Sequence, residues 1–198
     1  MPGEVVSYFF HHQNLRLRLG FQVVLQCAPF LKGLKVSGLI SLEDTLCGGL
    51  PGLFGGLDIS WKIFWRKQGK CLLFLYRREG LEEYLSRPDI RKVLAGPGYR
   101  GMDLEQMLGH LGKRILKLCE GQESFPHEIG AFLGYPAEDI EGFIEHGGKE
   151  CLFTGYWKVY HDPLGAARRF WEFDRARERA VNEFLAGKSL REIWSEEG

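Results

Sequence analysis

The feature that most constrains the fold is a pair of short apolar segments between residues 59 and 76. In 59–66, apolar residues alternate with polar ones, which is the period of a strand with one buried face. Residues 67–70 have the composition of a turn, and 71–76 form a continuous apolar run, which is typical of a strand covered on both faces. The two segments predict a β-hairpin, and the second strand requires helices packed against the sheet.

Helical periodicity dominates much of the remaining chain. Asp103 is a favourable N-cap, and the apolar spacing after it predicts a helix that ends near Cys119. Asp162 and Pro163 begin a long C-terminal helix that is predicted to run to about Leu185. Further helices are predicted over 13–27, 79–86, 89–94 and 136–145, and after Ser189.

Two other segments complete the predicted architecture. Residues 151–160 are rich in β-forming residue types and predict a strand, whereas the glycine-rich residues 47–56 predict a flexible loop. The order of elements indicates an α/β or α+β fold. In this fold, a small sheet contains the 59–76 hairpin and the 151–160 strand, and several helices pack on it, including the long C-terminal one.

Length and composition narrow the class of protein. The 198 residues suit a single domain, which we predict over 1–198 with a loose lead-in at 1–12 and a C-terminal extension at 186–198. The 26 Lys and Arg residues balance 26 Asp and Glu residues, so no overall charge favours binding to nucleic acid or a membrane surface. Five separated cysteines without a C-x-x-C pair fit a reducing compartment. Because no signal peptide or membrane-spanning stretch is recognisable, we expect a cytoplasmic protein.

A long motif in the C-terminal half resembles a bacterial protein family. Residues 125–162 read FPHEIGAFLGYPAEDIEGFIEHGGKECLFTGYWKVYHD, and they are similar to the signature of domain-of-unknown-function family 3793. Residues 27–35, CAPFLKGLK, and the hairpin residues 72–85 resemble the same family. The resemblance covers about residues 20–185 and implies no particular activity or cofactor, so function has to be argued from the residues themselves.

The 125–136 segment is the first candidate binding site, because it combines prolines, glycines and a His-Glu pair. Gly130 and Gly134 are four residues apart, so on a helix they would leave one face open to close approach by a ligand or another element. His127 and Glu128 are candidates for acid–base or ligand contacts, although adjacent side chains on a helix point about 100° apart. Tyr135 completes this candidate set. The alternative is that His127 only packs a tightly turned helix.

Cys27 is the candidate nucleophile. Pro29 is predicted to begin a helix, which places Cys27 near the helix N-terminus, where the dipole lowers the pKa of a thiol. A thiol-dependent enzyme would then use Cys27 as the nucleophile and His127 as the base. The alternative is a small buried cysteine before a turn, which is the usual environment of a free cysteine.

The predicted 151–160 strand and the last long helix supply two further candidate surfaces. Tyr156, Lys158 and Tyr160 would share one face of the strand, where they could contact a ligand or pack against the core. Trp171 lies about 100° from Phe170 on the helix, which leaves it either in a wide core face or at an interface with a partner or a second copy.

Three functional hypotheses therefore stay open. The favoured one is a small-ligand, metal or cofactor-binding protein that uses the 125–136 turn and the Cys27 region. The alternatives are the thiol-dependent enzyme and a partner-binding module that uses the C-terminal helix. The sequence assigns no metal ligands and identifies no cofactor.

Overall fold

The computed structural model describes residues 3–122 and 124–195. In chain order, the first half contains α1 (Gly3–Phe10), α2 (Leu15–Leu31), β1 (Ser37–Glu43), a 3-10 helix (Asp44–Gly49), α3 (Leu50–Phe54), β2 (Ser60–Lys67), β3 (Lys70–Tyr76), α4 (Arg78–Ser86) and α5 (Pro88–Ala95). The second half contains α6 (Leu104–Cys119), α7 (Ile129–Phe132), α8 (Ala137–Glu145), β4 (Phe153–Thr154), β5 (Lys158–Val159), α9 (Pro163–Leu185) and α10 (Leu190–Ser195). The fold is α+β, as the order of elements predicted.

The main sheet is antiparallel, with strand order β1-β3-β2. The predicted hairpin is confirmed as β2 and β3, and its turn uses Gln68 and Gly69 with φ angles of 53° and 72°. A register irregularity between Ile63 and Trp65 interrupts the alternation of β2 and buries Phe64. The strand β1, which the sequence analysis did not predict, pairs with the other edge of β3.

The central strand β3 is covered on both faces, as its continuous apolar run predicted. Leu73 and Leu75 belong to one core cluster, which α2, α9 and α10 help to form. Phe74 and Tyr76 belong to a second cluster, to which α4–α8 contribute. The run 71–76 has no polar residues because β3 lies between the two core clusters and is buried on both faces.

The predicted helices are all present, and side-chain caps fix several of their ends. Asp103 and Gln106 form a reciprocal capping box at the start of α6. At α9, the Asp162 carboxylate accepts a hydrogen bond of 2.9 Å from the Gly165 amide. The segment predicted as helix over 13–27 is α2, which extends to Leu31 and is kinked at Cys27.

Two corrections concern segments that were predicted to be irregular. The lead-in at 1–12 contains α1, whose Phe9 and Phe10 pack against the first core cluster. The glycine-rich 47–56 segment is not a flexible loop, because Leu50 and Phe54 anchor α3 in the same cluster. In both cases tertiary contacts of apolar side chains, which are partly buried in α1 and fully buried in α3, outweigh a local sequence with weak periodicity.

A third correction concerns the 151–160 strand. It is not a strand of the main sheet but a separate two-stranded hairpin, in which β4 pairs with β5 around Gly155. A Cβ on Gly155 would lie in contact with the Phe170 ring, so this turn packs closely on α9. Trp157, Phe170 and neighbouring residues form a third, smaller core cluster there.

The ends of the chain add one further observation. Within the predicted C-terminal extension, α10 buries Leu190 and Ile193 in the first core cluster. Residues 1, 2 and 196–198 of the two predicted terminal segments lie outside the described residues.

Among the described helices, none combines the length and the apolar character that a membrane span requires.

Candidate functional site

A cavity of about 240 Å³ lies where residues 125–143 meet residues 157 and 158. Its wall is mainly aliphatic and aromatic, and its apolar lining includes Leu39, Ile129, Leu133, Ile140, Phe143 and Trp157. Phe125 also lines the cavity and is exposed to solvent, so the cavity borders solvent on that side. An apolar concavity with a few polar groups is the usual form of a small-molecule site.

The short helix α7 holds the 125–136 segment against this cavity. The Tyr135 amide donates to the Gly130 carbonyl at 2.9 Å, and the Gly134 amide donates to the Ala131 carbonyl at 3.1 Å. This pair of bonds is a Schellman cap, which needs a left-handed residue, and Gly134 supplies it with a φ of 73°. Gly134 therefore ends the helix and does not share a helix face with Gly130.

Gly130 allows the close approach that the sequence predicted. A Cβ at this position would lie 3.0 Å from Cγ1 of Ile140 and 3.2 Å from the Tyr135 ring. Ile140 of α8 and the Tyr135 ring therefore occupy the space that a side chain at position 130 would need. Gly130 also lines the cavity, so its missing side chain shapes the cavity wall.

The buried carboxylate of Asp139 positions the other side of the cavity. Its Oδ2 accepts a hydrogen bond of 2.7 Å from Nε1 of Trp157, and its Oδ1 accepts bonds from the Tyr160 and His161 amides at 2.8 and 3.0 Å. Three donors from one short segment compensate the burial of this charge. Asp139 therefore fixes residues 157–161 on α8 and holds the Trp157 ring in the cavity wall.

Two basic side chains, Lys158 and His127, are among the residues that line the cavity. Lys158 donates to the Gly148 carbonyl at 2.6 Å and lies 5.7 Å from the centroid of the Phe143 ring. An ammonium group has three donors, so this bond leaves others for a ligand. The Nδ1 of His127 is buried and has no hydrogen-bond partner within the part of the chain that the structure describes. A buried nitrogen without a partner is costly unless a ligand or water satisfies it.

Glu128 has a different environment from its neighbour His127. Its carboxylate is buried, lies 3.1 Å from Nε of Arg114, and accepts a hydrogen bond of 3.1 Å from the Tyr99 hydroxyl. Burial of the phenol, together with the nearby Glu128 charge, raises the pKa of Tyr99. Glu128 is not among the residues that line the cavity, so the predicted His-Glu pair points in two directions.

The three residues predicted to share one strand face are also separated. Lys158 lines the cavity, whereas the Tyr156 hydroxyl donates to Asp174 at 3.0 Å on the α9 side. Burial raises the pKa of Tyr156 to about 12. Tyr160 stacks on His146 with ring centroids 5.6 Å apart. The Tyr135 ring does line the cavity, and its hydroxyl donates to the Tyr156 carbonyl at 3.2 Å.

Cys27 lies in the first core cluster and does not line the cavity with His127. The structure places it at the kink of α2, packed so closely against β1 that a Cβ on Gly38 would lie 3.1 Å from its Sγ. Burial raises the pKa of the Cys27 thiol to about 12, although Lys35 partly offsets this effect. The prediction that a helix dipole lowers this pKa is wrong, because desolvation of the thiolate outweighs it.

Comparison with known families agrees with the resemblance that the sequence carries. A family model described as "Protein of unknown function (DUF3793)" matches residues 23–194. The chain belongs to the DUF3793 family. No curated protein and no solved structure matches it. The matched residues of this DUF3793 chain include every residue of the cavity wall described above.

Three residues that define the site of this DUF3793 chain are not among those that its sequence singled out. Asp139 has the position of an ordinary acidic residue in the first turn of a helix, so nothing in the sequence marks it as buried. Leu39 comes from β1, and Phe143 from the inner face of α8. The period-two pattern of residues 40–43 was the available signal for β1, since Ile40 and Leu42 are buried and Ser41 and Glu43 are exposed.

Proposed function

We propose that the chain binds a small, largely apolar carboxylate in the cavity between α7, α8 and residues 157–158. The observation that carries the proposal is His127: its buried Nδ1 has no partner in the described residues, and its side chain lines the same apolar cavity as Lys158. An anionic oxygen placed between these two groups would satisfy both of them.

The size and lining of the cavity narrow the class of ligand. A volume of about 240 Å³ is below the roughly 300–1,000 Å³ of sites for drug-sized molecules. The ring-rich wall, with Phe143 and Trp157, favours a flat apolar body. A monocyclic aromatic acid combines these properties. This ligand leaves Cys27 without a role at the site, because Cys27 does not line the cavity.

Binding of phenylacetate and benzoate, measured by ligand-observed NMR on the purified chain, tests the proposal. We expect saturable binding of at least one of these acids and weaker binding of uncharged toluene. Lys158→Met and His127→Ala should each weaken binding of the acid by about tenfold, since each removes one charge-assisted or buried hydrogen bond. The matched controls are Lys113→Met and His11→Ala, because both side chains are exposed and lie outside the cavity.

Two results would contradict the proposal. One is the absence of binding by either acid at millimolar concentration to a protein whose circular dichroism melt is cooperative. The other is binding that Lys158→Met and His127→Ala leave as strong as in the control variants. A cooperative melt of each variant shows that a loss of binding does not come from unfolding.

A further inference from the structure

Three potential metal ligands converge where the 3-10 helix meets the main sheet. Asp44 begins this helix, Cys47 lies within it, and Cys71 lies on the central strand β3. The carboxylate oxygen and the two sulfur atoms all lie within 4.8 Å of one another. None of these residues lines the proposed ligand cavity, so the cluster is a separate site.

The backbone holds this cluster in place from both sides. Leu42 pairs with Cys71 in the β1–β3 register, and the Asp44 amide donates to the Gly69 carbonyl at 2.8 Å. These contacts bring the start of the 3-10 helix to the hairpin end of β3. The convergence of residues 24 positions apart is therefore a property of the sheet and not of a flexible loop.

Cys47 and Cys71 form a disulfide in the structure. The spacing of their backbones also suits a second arrangement, in which both sulfur atoms bind one metal ion. The Cα atoms of Cys47 and Cys71 are 7.7 Å apart, whereas disulfides usually join Cα atoms about 4.4–6.8 Å apart. A metal ion with bonds of about 2.3 Å to each of two thiolates holds the sulfur atoms farther apart than a disulfide does. It therefore accommodates a longer Cα separation without moving the backbone.

The charges of the cluster balance a divalent cation. Two thiolates and the Asp44 carboxylate would carry three negative charges, and Arg66 offsets one of them, with its Nε 3.4 Å from Oδ1 of Asp44. A divalent cation neutralises the other two. Arg66 would then act as the outer partner that orients a ligating carboxylate.

From this geometry we propose that the reduced chain binds a thiophilic divalent cation of the zinc class through Asp44, Cys47 and Cys71. Two thiolates and one carboxylate select Zn²⁺ over the hard cations Mg²⁺ and Ca²⁺, which prefer all-oxygen ligand sets. Each cysteine thiol loses one proton to solvent when its sulfur binds the metal, so binding releases two protons and transfers no electrons.

Burial decides how the ion would enter and what would complete its shell. Cys71 is fully buried and Cys47 nearly so, whereas Asp44 is partly exposed. The ion would enter from the Asp44 side, and a water molecule would supply the fourth position. A zinc ion with three protein ligands and one water has an open coordination position.

Cobalt substitution tests the site directly. The full chain is reduced with a phosphine, freed of metal by chelation, and titrated with Co²⁺ without reductant thiols. We expect one equivalent to produce the thiolate-to-cobalt charge-transfer band and the visible bands of a tetrahedral site, and Zn²⁺ to displace them. Cys47→Ser and Cys71→Ser should abolish the charge-transfer band, and Asp44→Asn should keep it but weaken affinity by about an order of magnitude.

The double variant Cys119→Ser/Cys151→Ser is the matched control, because it removes two free thiols outside the cluster. It should bind Co²⁺ like the native chain. Zn²⁺ should also raise the melting temperature of the reduced native chain and of this control but not of Cys47→Ser, since a ligand stabilises only the state that binds it. The proposal is overturned if the reduced native chain shows no charge-transfer band, or if the band survives Cys47→Ser and is lost in the control.

Discussion

Nε1 of Trp157 donates a hydrogen bond of 2.7 Å to the buried Oδ2 of Asp139. This bond joins the segment that follows Gly155 to the first turn of α8, and it fixes one wall of the cavity. The same carboxylate holds the amides of Tyr160 and His161. One side chain thus connects two parts of the family motif that are far apart in sequence.

Replacement of this carboxylate should destabilise the chain strongly. Asp139→Ala leaves the Trp157 indole N–H and two backbone amides without their acceptor, and we expect a loss of about 3 kcal/mol in the free energy of unfolding. Urea denaturation at pH 7 measures this value. Glu138→Ala is the control, since Glu138 is exposed on the same helical turn and should change stability by about 0.5 kcal/mol or less. Equal losses for the two variants would contradict the assigned role of Asp139.

Two helical glycines should respond to alanine in opposite directions. A Cβ on Gly142 of α8 would lie 2.6 Å from Cβ of Tyr160, whereas a Cβ on Gly109 of α6 would meet nothing within 4 Å. We expect Gly142→Ala to destabilise the chain by about 1–3 kcal/mol through overpacking. Gly109→Ala should stabilise it by about 0.5–1 kcal/mol, because alanine restricts the unfolded chain and fits a helix better.

The same urea denaturation series compares the two glycine variants. A stabilising effect of Gly142→Ala would show that the 157–161 segment does not pack on α8 as described. Such a result would also remove the structural basis for the cavity wall, because Lys158 and Tyr160 belong to that segment.

Adjacent aromatic residues of α9 provide a third comparison. Phe170 is 8% exposed and contacts Trp157 with ring centroids 4.5 Å apart, whereas Trp171 is 63% exposed. We expect Phe170→Ala to cost about 3–5 kcal/mol and Trp171→Ala to cost about 0.5 kcal/mol or less. Thermal and urea denaturation of the two variants measure the difference.

Exposure of Trp171 decides one question that the sequence left open: this side chain is not part of the core. Sedimentation of native chain and Trp171→Ala over a range of concentrations shows whether the exposed ring contributes to self-association. If Trp171→Ala lowered stability as much as Phe170→Ala, the orientation of α9 described here would be incorrect.

The sequence pattern alone was sufficient to predict a helix or strand where the spacing of its apolar residues matches the face that the fold buries. The β2–β3 hairpin and the capped helices α6 and α9 are examples, because alternation, caps and apolar spacing all indicate the same structure. The strand β1 was missed because Gly38 weakens its pattern. A Cβ on that glycine would lie 3.1 Å from Sγ of Cys27, which is a neighbour only in the fold.

The candidate site was predictable only in part, for a similar reason. The 125–136 motif contains His127, Gly130 and Tyr135, which line the cavity, and the 151–160 segment contains Lys158. The side of the motif that each residue faces depends on two features. One is the local Schellman cap at Gly134, and the other is the set of tertiary hydrogen bonds that Asp139 accepts. The pairing of Cys47 with Cys71 likewise depends on the sheet register, which sequence spacing does not reveal.

The buried thiol of Cys27 should be protected from alkylation. Burial raises its pKa to about 12, and Cys119 is exposed. At pH 8 the thiolate fraction of a group with this pKa is roughly a thousandfold lower than that of a thiol with the ordinary value of 9.0. Iodoacetamide at pH 8, followed by mass spectrometry of peptides over time, should therefore label the exposed Cys119 far faster than the buried Cys27. In urea the two rates should become similar.

The same pKa shift predicts the sign of a pH effect on stability. The folded state keeps the Cys27 proton to about pH 12, whereas the unfolded state releases it near its ordinary value of 9.0. Between these values the unfolded state binds fewer protons, so the free energy of unfolding falls as pH rises, and the contribution is fully present below pH 9. In Cys27→Ala this group is absent, and its alkaline decline should be shallower than that of the native chain between pH 9 and 11. Parallel declines, or rapid alkylation of native Cys27 at pH 8, would show that the thiol is ionisable in the folded protein and would restore it as a candidate nucleophile.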